Sequence, residues 1–302
     1  MKQLSQGKIN DYIYVAGNAS YPGYVIKGKD KNLMIDAGMN LMGPLYVEDV
    51  GKILGNPDNL DYLFVTHSHY DHLGAVPYIK RRIPELCIGA HKRVSELMSK
   101  EGVRAVMNRL SDVQRGFFRD IIGDEDVTIG PVETGIYLKE DDEISLGGLT
   151  CRVYEVPGHT KDSLAFFIPE IKTLFTGEAA GVPEDRDGNG IQVCFLTSYD
   201  DYLSSLEKII SICPETLCLG HGWVLSHKDA SSFIKASLDA TPTYRRLIEG
   251  YLDAAHGDID QAIQTMGKKE YDERGVIIHE KTAYMTNLSA QVRHIAGLNG
   301  QK

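Results

Sequence analysis

Short apolar runs broken by turn residues fill the first two thirds of the chain, and apolar stripes at helical spacing take over the last third. Asp11-Tyr12-Ile13-Tyr14-Val15, Gly23-Tyr24-Val25-Ile26 and Asn32-Leu33-Met34-Ile35-Asp36 read as strands separated by Gly, Pro and Asp/Lys turns. Leu63-Phe64-Val65-Thr66 is a fourth run of the buried-strand type, and Gly74 with Pro77 punctuates its exit. Residues 92 to 121 read as helical, because Val103, Val106, Met107, Leu110, Val113 and Phe117 recur at three- and four-residue spacing. That stripe is expected to pack into the core. A second β section is predicted from about 136 to 176, with Asp141-Asp142-Glu143 as a charged turn and Gly147-Gly148 as a hairpin turn. Ser198 to Ile210 then forms an amphipathic helix with Leu203, Leu206, Ile209 and Ile210 directed inward.

After His221 the chain changes character. From Lys228 onward it reads as mainly helical, with Tyr244, Leu247, Ile248, Tyr251 and Leu252 on one apolar face. Thr241-Pro242 predicts a break or kink between two helices, since proline removes a backbone donor. Arg274-Gly275-Val276-Ile277-Ile278 reads as an apolar turn before Ala283-Tyr284-Met285 and a last helix through His294. The β…α…β…α order suggests two sheets packed face to face with helices outside, an α+β arrangement. We divide the chain into residues 1–227 and a helical C-terminal extension, 228–302, expected to pack near the site that His221 closes.

Six consecutive residues change the picture from fold to chemistry. His67-Ser68-His69-Tyr70-Asp71-His72 places three imidazoles and a carboxylate directly after the fourth strand-like run. His67 and His69, spaced i and i+2, leave the strand on one side of a loop, while Asp71 and His72 turn into the next element. One loop of this kind can serve two neighbouring metal ions. Neutral imidazole suits zinc, iron, copper and nickel, and carboxylate tolerates zinc, iron and manganese.

The stretch resembles the H-x-H-x-D-H signature of the metallo-β-lactamase superfamily. Three later segments match that family in order: Val156-Pro157-Gly158-His159-Thr160, Leu174-Phe175-Thr176-Gly177-Glu178, and Leu217-Cys218-Leu219-Gly220-His221-Gly222. The resemblance spans roughly residues 10 to 225 and implies an αββα sandwich of two mixed β-sheets. It implies further that His67, His69 and His159 hold one divalent metal, that Asp71, His72 and His221 hold a second, and that Glu178 bridges them. Zinc is the first expectation, with iron or manganese as alternatives. The family usually has Asp as the bridge, so Glu178, one methylene longer, is a departure. Asp36 matches a family carboxylate that supports a ligand imidazole, and it also suits a strand-end turn. The helical extension, overall length and ligand positions further resemble the PqsE-like members, which implies thioesterase chemistry and a separate partner-binding role.

On that resemblance, a hydroxide shared by two metals attacks a thioester or ester carbonyl of a small molecule, with Asp71 as a ligand that also offers a proton-accepting carboxylate. No G-x-S-x-G elbow is present to supply a side-chain nucleophile. A thiolate leaves without a general acid, which favours thioesters; phosphodiesters and lactones fit the metals equally well. A redox role is the other enzymatic class, but the chain has no flavodoxin-like segment. A regulatory protein with weak activity is the non-enzymatic alternative. Tyr70, Phe195 and Tyr284 are candidate pocket residues. His91, His227, His256, His279 and His294 lie in no motif and read as surface or packed residues.

Composition narrows the setting. The net charge of −10 over 302 residues, with a pI near 5.5, argues against a nucleic-acid partner. Lys80-Arg81-Arg82 reads as a solvated helix end. Five cysteines, an odd number without a C-x-x-C, suggest neither a disulfide framework nor a zinc ribbon and fit a reducing compartment. No signal-peptide core and no run of ~20 apolar residues occurs, so the expectation is a cytoplasmic protein without a membrane partner. A homodimer is left open.

Overall fold

The computed structural model describes residues 1–300. Two seven-stranded sheets stack face to face. The first runs Gly7–Lys8, Ile13–Asn18, Tyr21–Lys27, Asn32–Ile35, Tyr62–Phe64, Cys87–Ala90, Ile136–Tyr137. Its first four strands pair antiparallel and its last four parallel, so the sheet is mixed. The second runs Lys2–Leu4, Trp223–Ser226, Thr216–Leu219, Thr173–Gly177, Leu164–Ile168, Thr150–Glu155, Glu143–Ser145, with one parallel pair, Thr173–Gly177 beside Thr216–Leu219. Gly147 and Gly148, both at positive φ, make the hairpin turn predicted for them.

The two-residue period of the strands sorts their side chains into separate cores. Ile13, Tyr24, Ile26, Leu33, Ile35 and Phe64 of the first sheet meet Cys151, Val153, Phe166, Phe175, Cys218 and Val224 of the second. Their alternate neighbours face outward: Val25, Met34, Leu63 and Val65 pack under the helices Gly43–Leu54 and Val76–Arg82. Leu174, Leu217, Leu219 and Leu225 pack under Tyr199–Ile212 and the C-terminal helices. The result is an αββα sandwich in which residues 228–300 share one apolar core with the second sheet.

Four sequence expectations need correction. The helix Lys228–Ala254 runs through Pro242 rather than breaking there. Proline removes one donor, but Phe233, Ile234, Thr241, Ile248 and Leu252 are buried along the helix and hold both halves in the core formed with the neighbouring helices and the second sheet. The 92–121 stripe is not a core stripe: the segment divides into Lys92–Met98, Glu101–Asp112 and two further turns, Met107 is buried, and Val106, Val113 and Phe117 are exposed. Val106 shares Glu101–Asp112 with Met107 but sits on its outer side, and beyond Asp112 the interruption resets the helical phase for Val113 and Phe117, so even spacing in sequence does not give one face. Ile210 points outward, because the buried face of Tyr199–Ile212 is set by Tyr202, Leu206 and Ile209. Phe195 and Tyr284 are core, not pocket: Phe195 packs against Tyr199, Tyr202, Tyr244 and His294, and Tyr284 against Tyr271. Aromatic surface of that size is buried wherever a neighbour can cover it.

Candidate metal centre

The residues of the site come from strand ends at one rim of the sandwich. His67 and His69 follow Tyr62–Phe64, Asp71 and His72 sit in the single helical turn Tyr70–Leu73, Glu178 follows Thr173–Gly177, and His221 follows Thr216–Leu219. His159 lies in the turn between Thr150–Glu155 and Leu164–Ile168. Close approach of these rims depends on Gly220, where a Cβ would stand 2.9 Å from both the Gly177 backbone and Cε1 of His72.

Seven side chains chosen from sequence converge into two groups. His67, His69, His159 and Glu178 form one, and Asp71, His72 and His221 the other. Nε2 of His159 lies 3.2 Å from Nε2 of His67 and 3.1 Å from Nδ1 of His69. The Glu178 carboxylate spans the groups: Oε2 is 2.8 Å from His159 Nε2 and 3.7 Å from His72 Nε2, while Oε1 is 4.0 Å from His221 Nε2. Nε2 of His221 is 3.6 Å from Oδ2 of Asp71.

The outer nitrogens fix the tautomers. Asp36, at φ 59°, ends its strand and accepts from the Thr66 amide (Oδ1, 2.8 Å), the Thr66 hydroxyl (Oδ2, 2.8 Å) and His72 Nδ1 (Oδ2, 2.8 Å). Because the Thr66 hydroxyl gives its hydrogen to Asp36, its lone pair accepts from His67 Nδ1 at 3.0 Å. His159 Nδ1 donates to the Cys194 carbonyl at 2.6 Å, and His221 Nδ1 to the Ser20 carbonyl at 2.5 Å. His67, His72, His159 and His221 therefore each keep a proton on Nδ1 and turn Nε2 into the site, the wiring that orients metal-bound histidine.

This donor set fits divalent cations. Lone pairs of nitrogens 3.1–3.2 Å apart repel unless a proton or cation lies between them. Nitrogens held ~2.0–2.1 Å from a tetrahedral zinc stand about 3.3–3.4 Å apart. Nε2 of His72 and of His221 are buried without a hydrogen-bond partner among the described residues, an arrangement that costs free energy if nothing binds them.

The electrostatics follow from burial against charge. Burial would raise the Glu178 carboxyl, but His159, His67 and His69 hold it well below the usual carboxylate range. Burial would lower His72, but Asp36, Asp71 and Glu178 together push it up to about 9. His67, buried and crowded by His72, goes well below its ordinary value.

Two clefts open onto the centre. One of about 260 Å³ runs past Tyr21, Asp71, Val182, His221, Trp223 and His279. The other, of about 140 Å³, runs past His69, Leu110, Val113, Glu178 and Thr286. Tyr70 lines both, as do Glu280 and Ala283 at the start of the last helix. His279, passed over in the sequence for want of any spacing motif, is the residue missed: with Glu178 and His221 it forms a third group of candidate ligand atoms.

Residues 22–221 match the Metallo-beta-lactamase superfamily, and the chain belongs to it. It is 25% identical over 230 residues to a metallo-beta-lactamase fold-containing protein of Sulfurisphaera tokodaii, covering 74% of this chain and 82% of that protein. It is 25% identical over 214 residues to an acyl-coenzyme A thioesterase of Gallus gallus, covering 68% and 71%. The fold of a metallo-beta-lactamase family protein of Thermus thermophilus overlays 99% of this chain and 94% of that one, with a TM-score of 0.64 at 14% identity. No helix among the described residues is long and apolar enough to cross a membrane.

Proposed function

We propose that the protein is a dinuclear metal-dependent hydrolase acting on a thioester or ester carbonyl of a small molecule. The observation that carries this is the convergence of the inward-turned imidazoles with Asp71 and a spanning Glu178 at the junction of two clefts. His67, His69 and His159 would hold one divalent cation and Asp71, His72 and His221 the other, with Glu178 reaching both. Two such cations supply Lewis acidity and bring the pKa of water near neutrality. The chain's own part is to place those ligands, to keep their tautomers through Asp36, Thr66, Ser20 and Cys194, and to leave the Asp71 carboxylate as a proton acceptor. Zinc is the proposed occupant, with iron or manganese as alternatives.

A thioester is favoured over a phosphodiester or lactone on two grounds. The clefts offer mainly apolar and aromatic walls, with Trp223, Val182, Leu4 and Ile278 in the larger, which suits an acyl group. A thiolate leaves unassisted, and the similar Gallus protein is named an acyl-coenzyme A thioesterase. The test is a panel of acyl-thioesters, activated esters and bis-aryl phosphodiesters given to metal-loaded protein. Faster turnover of thioesters and esters is expected; cleavage of phosphodiesters alone would overturn the choice.

A further inference from the structure

We propose that His279, on the C-terminal extension, is an additional ligand to the metal on the Asp71–His72–His221 side, so that the extension completes the centre. This rests on the dinuclear reading above and adds a donor outside the seven residues matched to the family pattern.

Three observations carry it. A ring nitrogen of His279, a Glu178 oxygen and a ring nitrogen of His221 lie within 4.8 Å of one another, and the His221 and His279 rings stand edge to face with centroids 5.7 Å apart. His279 is also wired like the other histidines of the centre. Its Nδ1 lies 2.8 Å from Oε1 of Gln192, an oxygen that can only accept, so Nδ1 carries the proton and Nε2 keeps its lone pair. Gln192 is two residues before Cys194, whose carbonyl does the same for His159, so one loop sets the tautomer of both rings.

Third, the backbone around His279 is pinned although it belongs to no helix or strand. The Tyr271 hydroxyl donates to the His279 carbonyl at 2.7 Å, and the Ile278 amide donates to the Glu184 carbonyl at 3.2 Å. Arg274 pairs with Glu184 at 2.8 Å, and Glu280 caps the final helix by accepting from the Ala283 amide at 3.0 Å. A side chain held at both flanks loses little freedom on binding an ion, which is the condition for a preorganised ligand. A further imidazole would make this half of the centre richer in nitrogen and tilt it toward zinc or iron over manganese.

The test is titration of the metal-free full-length protein with Co(II), read by absorption and by bound-metal stoichiometry, with hydrogen exchange over residues 274–280. The parent is expected to take up two ions, the second protecting that segment from exchange. His279→Ala should bind the first ion as the parent does, bind the second at least tenfold more weakly with an altered d–d band, and lose the protection. Gln192→Ala, which keeps the imidazole but removes its anchor, should weaken the second ion by roughly 10-fold or more, as outer partners of metal-bound histidine do. His279→Asn guards against misfolding of the alanine variant and should show the same loss. Parental affinity and spectrum in folded His279→Ala or His279→Asn would overturn the assignment while leaving the dinuclear centre standing. A parent protein that binds fewer than two ions would overturn the dinuclear reading, and this one with it.

Discussion

Oδ2 of Asp36 and Nδ1 of His72 stand 2.8 Å apart although 36 residues separate them in the chain. Asp36 takes its place because it follows Asn32–Ile35, which pairs in parallel with Tyr62–Phe64, so both strand ends reach the same rim. It orients His72 directly and His67 through Thr66. Replacing Asp36 with Asn keeps the size and tolerates the positive φ, but removes the charge that favours the Nδ1–H tautomer. Metal affinity is expected to fall roughly 10–100-fold with the fold intact. Parental affinity by calorimetric titration would show that the carboxylate serves only the strand end.

His69→Ala should remove most of the metal and the hydrolytic activity while the protein stays soluble and folded. The His69 side chain is one-third exposed, unlike His67 and His159, so its loss leaves the apolar sandwich untouched. Bound metal and a far-UV spectrum check both halves of this expectation. Full activity in the variant would refute the site.

Glu178 separates a bridging from a bystander carboxylate. Its Oε2 lies 2.8 Å from His159 and 3.7 Å from His72 and its Oε1 4.0 Å from His221, so the carboxylate spans both groups and Glu178→Ala should lose one metal outright. Glu178→Asp should keep both with altered affinity or turnover, since the shorter arm must still span the same rims. Two metals and a parental rate in Glu178→Ala would mean that the carboxylate is not a ligand.

Acidity provides a fourth test. In the metal-free protein His72 is raised from 6.5 to about 9, so near neutrality it carries a proton that a metal must displace. Metal affinity should therefore climb as pH rises toward 9 and proton release should accompany binding. Without metal the sign reverses for stability: the charged His72 beside Asp36 stabilises the fold fully below 6.5, and that contribution is lost as pH rises through about 9. Titrations in buffers of different ionisation enthalpy, with thermal melts of the metal-free protein, measure the two effects. Affinity that is flat from neutral pH to 9 would contradict them.

Much of this architecture is legible in the chain because it depends on local rules. Unbroken apolar runs such as Leu33-Met34-Ile35 and Leu63-Phe64-Val65 specify strands buried on both faces, and Gly147-Gly148 specifies its turn. His67, His69, Asp71 and His72 announce themselves by residue type and spacing, since one strand end and one helical turn present them all. Tertiary packing decided the rest. Phe195 and Tyr284 were ambiguous because the same aromatic surface suits a pocket or a core until a neighbour covers it, and Pro242 because packing along a long helix outweighs one missing hydrogen bond. Val113 and Phe117 kept helical spacing but lost a common face when the helix was interrupted. His279 carried no local mark at all: its place beside His221 and Gln192 arises from how the segment before the last helix packs against the loop that carries Glu184 and Gln192, a relation between residues 58 and 87 positions apart that no spacing rule records.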